Sequence, residues 1–488
     1  MVPKKTIAIG VIAVTAAIAL SFNSFSGQAS SIKLDMKEVN WEIKPGLTTK
    51  VWSYGGTVPG TPIIIKKGET VNVTGVNNLP SATTIHWHGL VIPNDQDGPG
   101  KTIKPGEKYS YSFKVNESGT YWYHSHYRPV LDQVDNGLYA PIIVKAPEDE
   151  KYSGDHIYII DDWYLDSNGN RLSGTARGEM ERFGNIETVN GKSGSAIEPL
   201  AVKKGQLHKL RFINASTAAV HTIKISGHRF RVTHTDGHAL PSPYESDVLT
   251  LSPGERIDAE VAAIGDVGQV YAIESDRPEL GLIIPIKYQD GQVNLVASPF
   301  VPPQAKGFAG IESRTPDFTL DLNSVMEMPS HNNMAPASPA VGHASHGNST
   351  PPAAPINSHG GHGAPAQAVT SEMQMQGSMR WTINGQSYPN VPPLEVKLGQ
   401  IVKVRIVNND ISTAEKMDHP IHIHGTEFQI VSQNGKAPAR ETWKDTINVP
   451  AGEYVDIAFT MTNPGTWMLH CHILDHEDGG MMTTVVAK

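Results

Sequence analysis

The apolar and polar positions of this chain fall into one pattern that is written three times. Gly68-Glu69 opens an alternating run ending at Asn77. Gly205-Gln206 leads through Leu-His-Lys-Leu-Arg-Phe-Ile to Asn214, and Gly399-Gln400 leads through Ile-Val-Lys-Val-Arg-Ile-Val to Asn408. The glycine-to-asparagine spacing is nine in every copy. Alternation at a period of two predicts strands. A turn signal follows in each copy: Pro105-Gly106-Glu107, Pro253-Gly254-Glu255 and Ala451-Gly452-Glu453. In the first and third copies a further strand entry follows, at Gly119-Thr120-Tyr121 and Gly465-Thr466-Trp467. Five residues beyond each of those glycines stands a histidine pair, His124-Ser125-His126 and His470-Cys471-His472. The middle copy has Gly268-Gln269-Val270-Tyr271 and no pair.

The repeat predicts an all-β chain of three related sandwich or barrel domains, at 30–147, 148–300 and 377–488. The first and third carry candidate ligands. The second is expected to be a spacer, with His156, His208, His221, His228, His234 and His238 structural or at the surface. Residues 301–376 differ. From Met326 to Met379 the chain is rich in Pro, Ala, Gly, Ser, His and Met, a composition that cannot bury a core. The stretch reads as a linker. Its methionines and histidines also offer a weak copper-recruiting segment, since thioether and imidazole suit copper.

Composition narrows the class. Hydrophobic residues make up 39% and charged residues 18%, with 45 Gly and 35 Pro, as expected of a turn-rich β protein. A net charge of −9 with no basic stripe gives no reason to expect a nucleic-acid partner. Residues 1–29 read as a secretory signal: Lys4 and Lys5, the apolar stretch Thr6 to Phe22, then the small residues of Gly27-Gln28-Ala29. A retained N-terminal anchor is the alternative. No second apolar run approaches the length of a membrane span, so no stable membrane insertion is expected. The mature chain is expected to be exported to the periplasm or outside the cell, as a monomer. Export usually invites disulfides, but Cys471 is the only cysteine and must serve otherwise.

Cys471 is where the chemistry concentrates. On a strand over Thr466 to Ile473, side chains alternate, so His470 and His472 point one way and Cys471 the other. His476 follows five residues later and Met481 ten. A thiolate, an imidazole and a distant thioether are ligand types of a blue-copper site, which needs one more imidazole. Three other clusters complete the picture: His86-Trp87-His88, His124-Ser125-His126 and His419-Pro420-Ile421-His422-Ile423-His424. Four imidazoles from each of two domains suit a metal cluster at their interface.

With these four motifs the chain resembles the three-domain multicopper oxidases, of the laccase and bacterial copper-efflux-oxidase kind. The resemblance implies three cupredoxin-like Greek-key β-barrels and four copper ions. It implies a type 1 copper on His419, Cys471 and His476, with Met481 as weak axial ligand and a moderate potential. It implies a type 2 copper on His86 and His422. The type 3 pair would take His88, His124, His126, His424, His470 and His472. Electrons from a substrate would pass through Cys471 to its flanking histidines, and dioxygen would become water. Asp97 matches the acid near the type 2 copper of similar oxidases, and Glu477 a carboxylate on the proton route to the type 3 pair. Asp475 and Asp478 read as solvated acids.

Asp418 directly precedes His419 and is expected to hydrogen-bond its ring, accept a substrate proton or bind a metal ion. The reading favoured for the substrate is Cu(I), in copper tolerance, with phenols as additional donors. The alternatives are a laccase acting mainly on organic phenols, an oxidase of ferrous or manganous ions, and, in a different class, a non-catalytic copper-binding or envelope scaffold protein. In similar bacterial enzymes a Met-rich insertion covers the type 1 site. Here the comparable stretch is richer in His, Pro and Ala.

Overall fold

The structure, a computed structural model, describes residues 31–172, 174, 183–327, 378–411 and 416–488. The expected leader over 1–29 and most of the Met/His-rich stretch lie outside these residues. The repeat seen in the sequence is a repeated piece of backbone architecture. The runs that end in asparagine are the strands Thr70–Asn77, Leu207–Asn214 and Ile401–Asn408. Each lies parallel to the first long strand of its own copy: Ser31–Lys44, Gly154–Trp163 and Phe318–Glu327.

The asparagine is required because its side chain closes the loop that follows. Asn77, Asn214 and Asn408 each donate Nδ2 to two backbone carbonyls. Each accepts on Oδ1 from the amide two residues on, at Leu79, Ser216 and Asp410. The later turn signal docks on the same residue. The amides of Gly106, Gly254 and Gly452 donate to the asparagine carbonyls. These glycines sit at φ +82°, +85° and +78°, where a side chain is disfavoured. Two signals some 30 to 45 residues apart are thus one local structure.

Each copy folds as two packed sheets. In the first, strands Leu47–Tyr54, Ser31–Lys44, Thr70–Asn77 and Lys108–Lys114 pack on Ile63–Lys66, Tyr139–Lys145 and Gly119–His124. Leu34, Met36, Val71 and Val73 from one sheet meet Ile65, Tyr121 and Ile142 from the other. The third copy repeats this, with Val402, Val404, Ile406 and Ile457 against Ile421, Ile423, Leu469 and Val485. The middle copy does so with Leu210, Phe212 and Val232 against Ile223, Ile273 and Ile284.

One boundary differs from expectation. Phe318–Glu327, inside the stretch expected to be a linker over 301–376, is a strand. It pairs with Ile401–Asn408 and with Ser378–Ile383. The cause is local: Phe318, Leu320 and Leu322 alternate with Thr319, Asp321 and Asn323, and both leucines are buried.

A further apolar cluster ties the copies together, joining Ile43, Val51 and Trp122 with Ile159 and Trp163 and with Leu474. Beside it two short helices meet, α1 (Val130–Asp135) and α2 (Leu474–Asp478). The carboxylate of Asp478 accepts the amides of Val130 and Leu131, capping α1 from across the interface. Asp478 is therefore not the solvated acid the sequence pointed to. Burial and the neighbouring Glu477 push its carboxyl up to about 6. Among the described residues, no helix is long and apolar enough to cross a membrane.

Candidate metal centres

One strand register decides both candidate sites. Strand His419–Ile423 runs antiparallel to Gly465–Cys471, the observed form of the strand expected over Thr466 to Ile473. Ile421 stands opposite Cys471, His422 opposite His470 and Ile423 opposite Leu469. His419, Ile421 and Cys471 share the face that looks into the apolar core. His422 and His470 share the other face. A slip of one residue would exchange the two sets.

On the core face Cys471 Sγ lies 3.5 Å from Nδ1 of His476 and 3.7 Å from Nδ1 of His419, and the two ring nitrogens are 3.1 Å apart. All three residues are fully buried. Helix α2 carries His476 back toward Cys471, and Trp381 stacks on the His476 ring with centroids 3.6 Å apart. Met481 is fully buried in the same apolar cluster as Cys471, and its carbonyl accepts the Cys471 amide.

On the other face the histidines of the first and third copies interleave. Ligand atoms of His86, His88 and His124 lie within 4.8 Å of one another, as do those of His86, His422 and His424, and those of His126, His424 and His470. His88 stacks on His422 at 3.7 Å, and His472 is ring-to-ring 5.0 Å from His88. His86 and His124 are fixed by a two-way backbone bridge.

The other nitrogen of most rings is pinned by the protein. Nδ1 of His86 donates to the Asp97 carbonyl, that of His124 to the Ser125 carbonyl, and that of His422 to the Asp445 carbonyl. Nδ1 of His470 donates to the Cys471 carbonyl, and that of His424 to Asp97 Oδ2. His88 is the reverse case, with Nε2 held by Asp445 and Thr446. What remains is a set of buried nitrogens without partners: Nε2 of His86, His124 and His422, Nδ1 of His88, and both nitrogens of His472. Nε2 of His470 faces Nε2 of His424 at 3.1 Å and of His126 at 3.4 Å. Burial first, then neighbouring imidazoles, holds His88, His124, His126 and His472 well below the usual histidine range. Neutral imidazoles with free lone pairs, crowded together and away from water, have the donor chemistry of a metal site.

The acids sort by position. Asp97 is 4% exposed, with Oδ2 2.8 Å from Nδ1 of His424 and Oδ1 3.3 Å from Nδ1 of His86. Burial works to raise its carboxyl, but His424 and His86 overcome that and hold it well below the carboxylate range. Glu477 is fully buried between Nδ1 of His470, at 3.2 Å, and Nε2 of His126, at 3.5 Å. Asp418 does not meet the ring of His419. Its carboxylate accepts instead from Asn448 Nδ2 and the Ala451 amide, because the strand that starts at His419 points residue 418 away from the core. The acid on His419 is Asp410, Oδ2 to Nε2, at 2.7 Å. Asp418 lines a cleft of about 300 Å³ together with Lys416, Met417, Ile473, Arg277 and Phe183.

Asp410, Asp445 and Trp381 are absent from the expected set. Asp410 had a signal: it is the residue two beyond the repeat asparagine. The matching residue of the middle copy, Ser216, also bonds a histidine, His221, which opens its strand opposite Leu251 as His419 opens its own opposite Val449. In that copy Ser275 stands opposite Ile223, where Cys471 stands opposite Ile421. The middle copy thus keeps one histidine of the set and has a serine in place of the thiolate.

Residues 35–149, 154–282 and 363–488 each match a model of a family described as multicopper oxidase. The chain is 29% identical over 468 residues to multicopper oxidase MmcO of Mycobacterium tuberculosis, covering 88% of this chain and 82% of that protein. It is 26% identical over 558 residues to copper resistance protein A of Pseudomonas syringae pv. tomato, covering 89% and 88%. Among solved structures, a multicopper oxidase from Campylobacter jejuni described as a metallo-oxidase superposes with a TM-score of 0.68 at 27% identity, over 94% of this chain and 91% of that one. The three sandwiches are accordingly cupredoxin-like, and the thiolate, imidazole and thioether groups gathered here are donors suited to copper. Matched in all three copies, the chain belongs to the multicopper oxidase family, as a copper-dependent oxidoreductase that acts with dioxygen.

Proposed function

We propose that this protein couples one-electron oxidation of small donors, Cu(I) foremost and phenols in addition, to the four-electron reduction of dioxygen to two waters. The observation that carries this reading is the orientation of the rings: in His86, His88, His124 and His422 one nitrogen is pinned by the protein while the other is buried and unpartnered beside the other rings of the cluster. In this reading His419, Cys471, His476 and, more weakly, Met481 would hold one copper. His86 and His422 would hold a second, and His88, His124, His126, His424, His470 and His472 would hold a pair. Bound there, copper would supply reversible one-electron redox chemistry between the donor and dioxygen.

The chain's own residues do the rest. Cys471 is covalently continuous with His470 and His472, so its backbone joins the two ligand sets by the shortest path the chain can offer. Asp97, on His424 and His86, and Glu477, between His470 and His126, are placed to carry the protons that dioxygen reduction consumes. The cleft beside Asp418 and Ile473 is the donor site. Its apolar wall of Phe183, Ala218 and Ile473 suits an aromatic ring, and the Asp418 carboxylate suits the proton a phenol sheds. The Met417 thioether and the same carboxylate are equally donors for a cuprous ion. Similarity to a copper resistance protein and to a metallo-oxidase supports the metal-ion donor, and with it a role in copper tolerance.

Oxygen uptake with Cu(I) and with a simple phenol tests this. The comparison is between the full chain and one in which residues 328–377 are replaced by a short Gly-Ser link. That choice spares strands Phe318–Glu327 and Ser378–Ile383, which removal of the wider stretch 326–379 would cut. Selective loss of Cu(I) turnover supports a copper-recruiting segment and a copper-detoxifying oxidase. Unchanged turnover of both donors moves the laccase reading ahead.

A further inference from the structure

The middle copy was expected to be a spacer, yet its side chains reach the histidine cluster. Arg256 begins the strand Arg256–Ala262 of that copy and is fully buried. Its guanidinium has five N–H donors, and all five are used. Nε donates to the Thr120 carbonyl of the first copy. Nη1 donates to the Gly254 carbonyl, and Nη2 to the Asp236 carbonyl, both in the middle copy. The remaining two donate as a fork to Asp445 of the third copy, Nη1 to Oδ1 at 2.7 Å and Nη2 to Oδ2 at 2.6 Å. Asp445 is itself 1% exposed. Its Oδ1 takes Nε2 of His88 at 3.2 Å and the Thr446 hydroxyl at 2.9 Å, and stands 3.5 Å from Nδ1 of His422. Asp236 bears on the same segment, its Oδ2 accepting the amides of Asp445 and Thr446.

Two glycines show how closely these parts approach. A Cβ on Gly89, which follows His88, would lie 2.4 Å from Arg256 Nη2 and 2.5 Å from Asp445 Oδ2. A Cβ on Gly254, in the turn of the middle copy, would lie 2.9 Å from the His472 ring. Both glycines also hold positive φ, +84° and +85°.

We infer that Arg256 is a positioning residue for the dioxygen-reducing site: by locking Asp445 in one orientation it fixes the rings of His88 and His422, and so makes the middle copy a working part of the cluster. His88 depends on this most. Its unpartnered nitrogen is Nδ1, where those of His86, His124 and His422 are Nε2, and the acceptor on the Nε2 side holds that orientation. A lysine at position 256 keeps the charge but cannot supply the fork or reach three copies at once. The inference rests on the reading that the eight histidines hold copper.

The test uses copper-loaded full-length chain as wild type, Arg256→Lys and Asp445→Asn. Three quantities are read: copper retained against a competing chelator, the visible absorption of the Cys471 site, and the split between kcat and KM for the donor. Both variants are expected to release copper from the histidine cluster about 10- to 100-fold more readily. They are expected to keep the blue absorption and KM, and to lose kcat. Melting of the copper-free chains separates this from misfolding, and if Arg256→Lys does not fold, Asp445→Asn decides. Copper retention and kcat equal to wild type in both variants overturn the inference. So does parallel loss of the blue absorption, which marks a general structural defect. A wild-type chain with no copper beyond the Cys471 site overturns the cluster reading and the clamp with it.

Discussion

Oδ2 of Asp410 lies 2.7 Å from Nε2 of His419, and both side chains are buried. The contact obliges the His419 proton to sit on Nε2, leaving the Nδ1 lone pair for the space it shares with Cys471 and His476. Asp410→Ala is therefore expected to weaken copper retention at the Cys471 site by about 10- to 100-fold and to reduce its blue absorption, with the histidine cluster retained. Chelator competition followed at the blue band checks this. Asp418→Ala, at the cleft, is expected to leave the band unchanged and to alter KM for the donor.

The carboxylate of Asp97 faces His424 and His86 of the cluster, and that of Glu477 faces His470 and His126. Asp97→Asn and Glu477→Gln keep shape and remove the proton-carrying carboxylate. Each is expected to lower kcat for oxygen uptake by about 10²-fold or more. The blue absorption is expected to stay at the wild-type level.

Copper-free protein is expected to lose stability as pH falls from about 6.5 to 5. Burial holds His88, His124, His126, His422, His424 and His472 below their unfolded value. In this window the unfolded chain binds protons that the folded chain refuses, so the free energy of unfolding drops with pH, by up to about 1.4 kcal/mol per unit for each such ring. His470 works the other way: against the effect of burial, Glu477 raises it, so it favours the folded state at low pH. Asp161 and Asp478, pushed up to about 8 and about 6 chiefly by burial, act with His470, while His156, His208, His234 and His238, held low by burial, act with the six, so the lowered histidines outnumber the opposing groups. Melting temperatures across this range check the sign, and a flat profile would count against neutral buried rings.

Asn214 closes the loop of the middle copy with bonds to the Ala219 and Leu251 carbonyls and from the Ser216 amide. Asn214→Ala leaves these buried groups unpaired, at about 1–3 kcal/mol for each group. A fall in the urea midpoint without change in slope is the expected result.

What the sequence made legible and what it did not have physical causes. The four histidine motifs could be read because each rides on a repeated strand, and a strand fixes side-chain direction from spacing alone. The register that sets Ile421 against Cys471 follows from the same alternation. That Asp410 rather than Asp418 meets His419 is not legible in the sequence, because the seven residues 411–417 between the two acids carry no periodicity that sets their path. Arg256 and Asp445 are 189 positions apart and meet only through packing of two domains. Strand Phe318–Glu327 carries its own alternation of Phe318, Leu320 and Leu322, but it runs directly into the low-complexity stretch that begins at Met326, whose composition hides it.

The central claim is that two sets of buried residues, split by the alternation around Cys471, hold copper in separate sites on one chain. Metal analysis with visible absorption, on copper-loaded wild type and Cys471→Ser, tests it most directly. The account predicts about four coppers per chain with a blue band in wild type, and about three without the band in the variant. A wild-type chain with one copper or none, or a blue band that survives in Cys471→Ser, would contradict it.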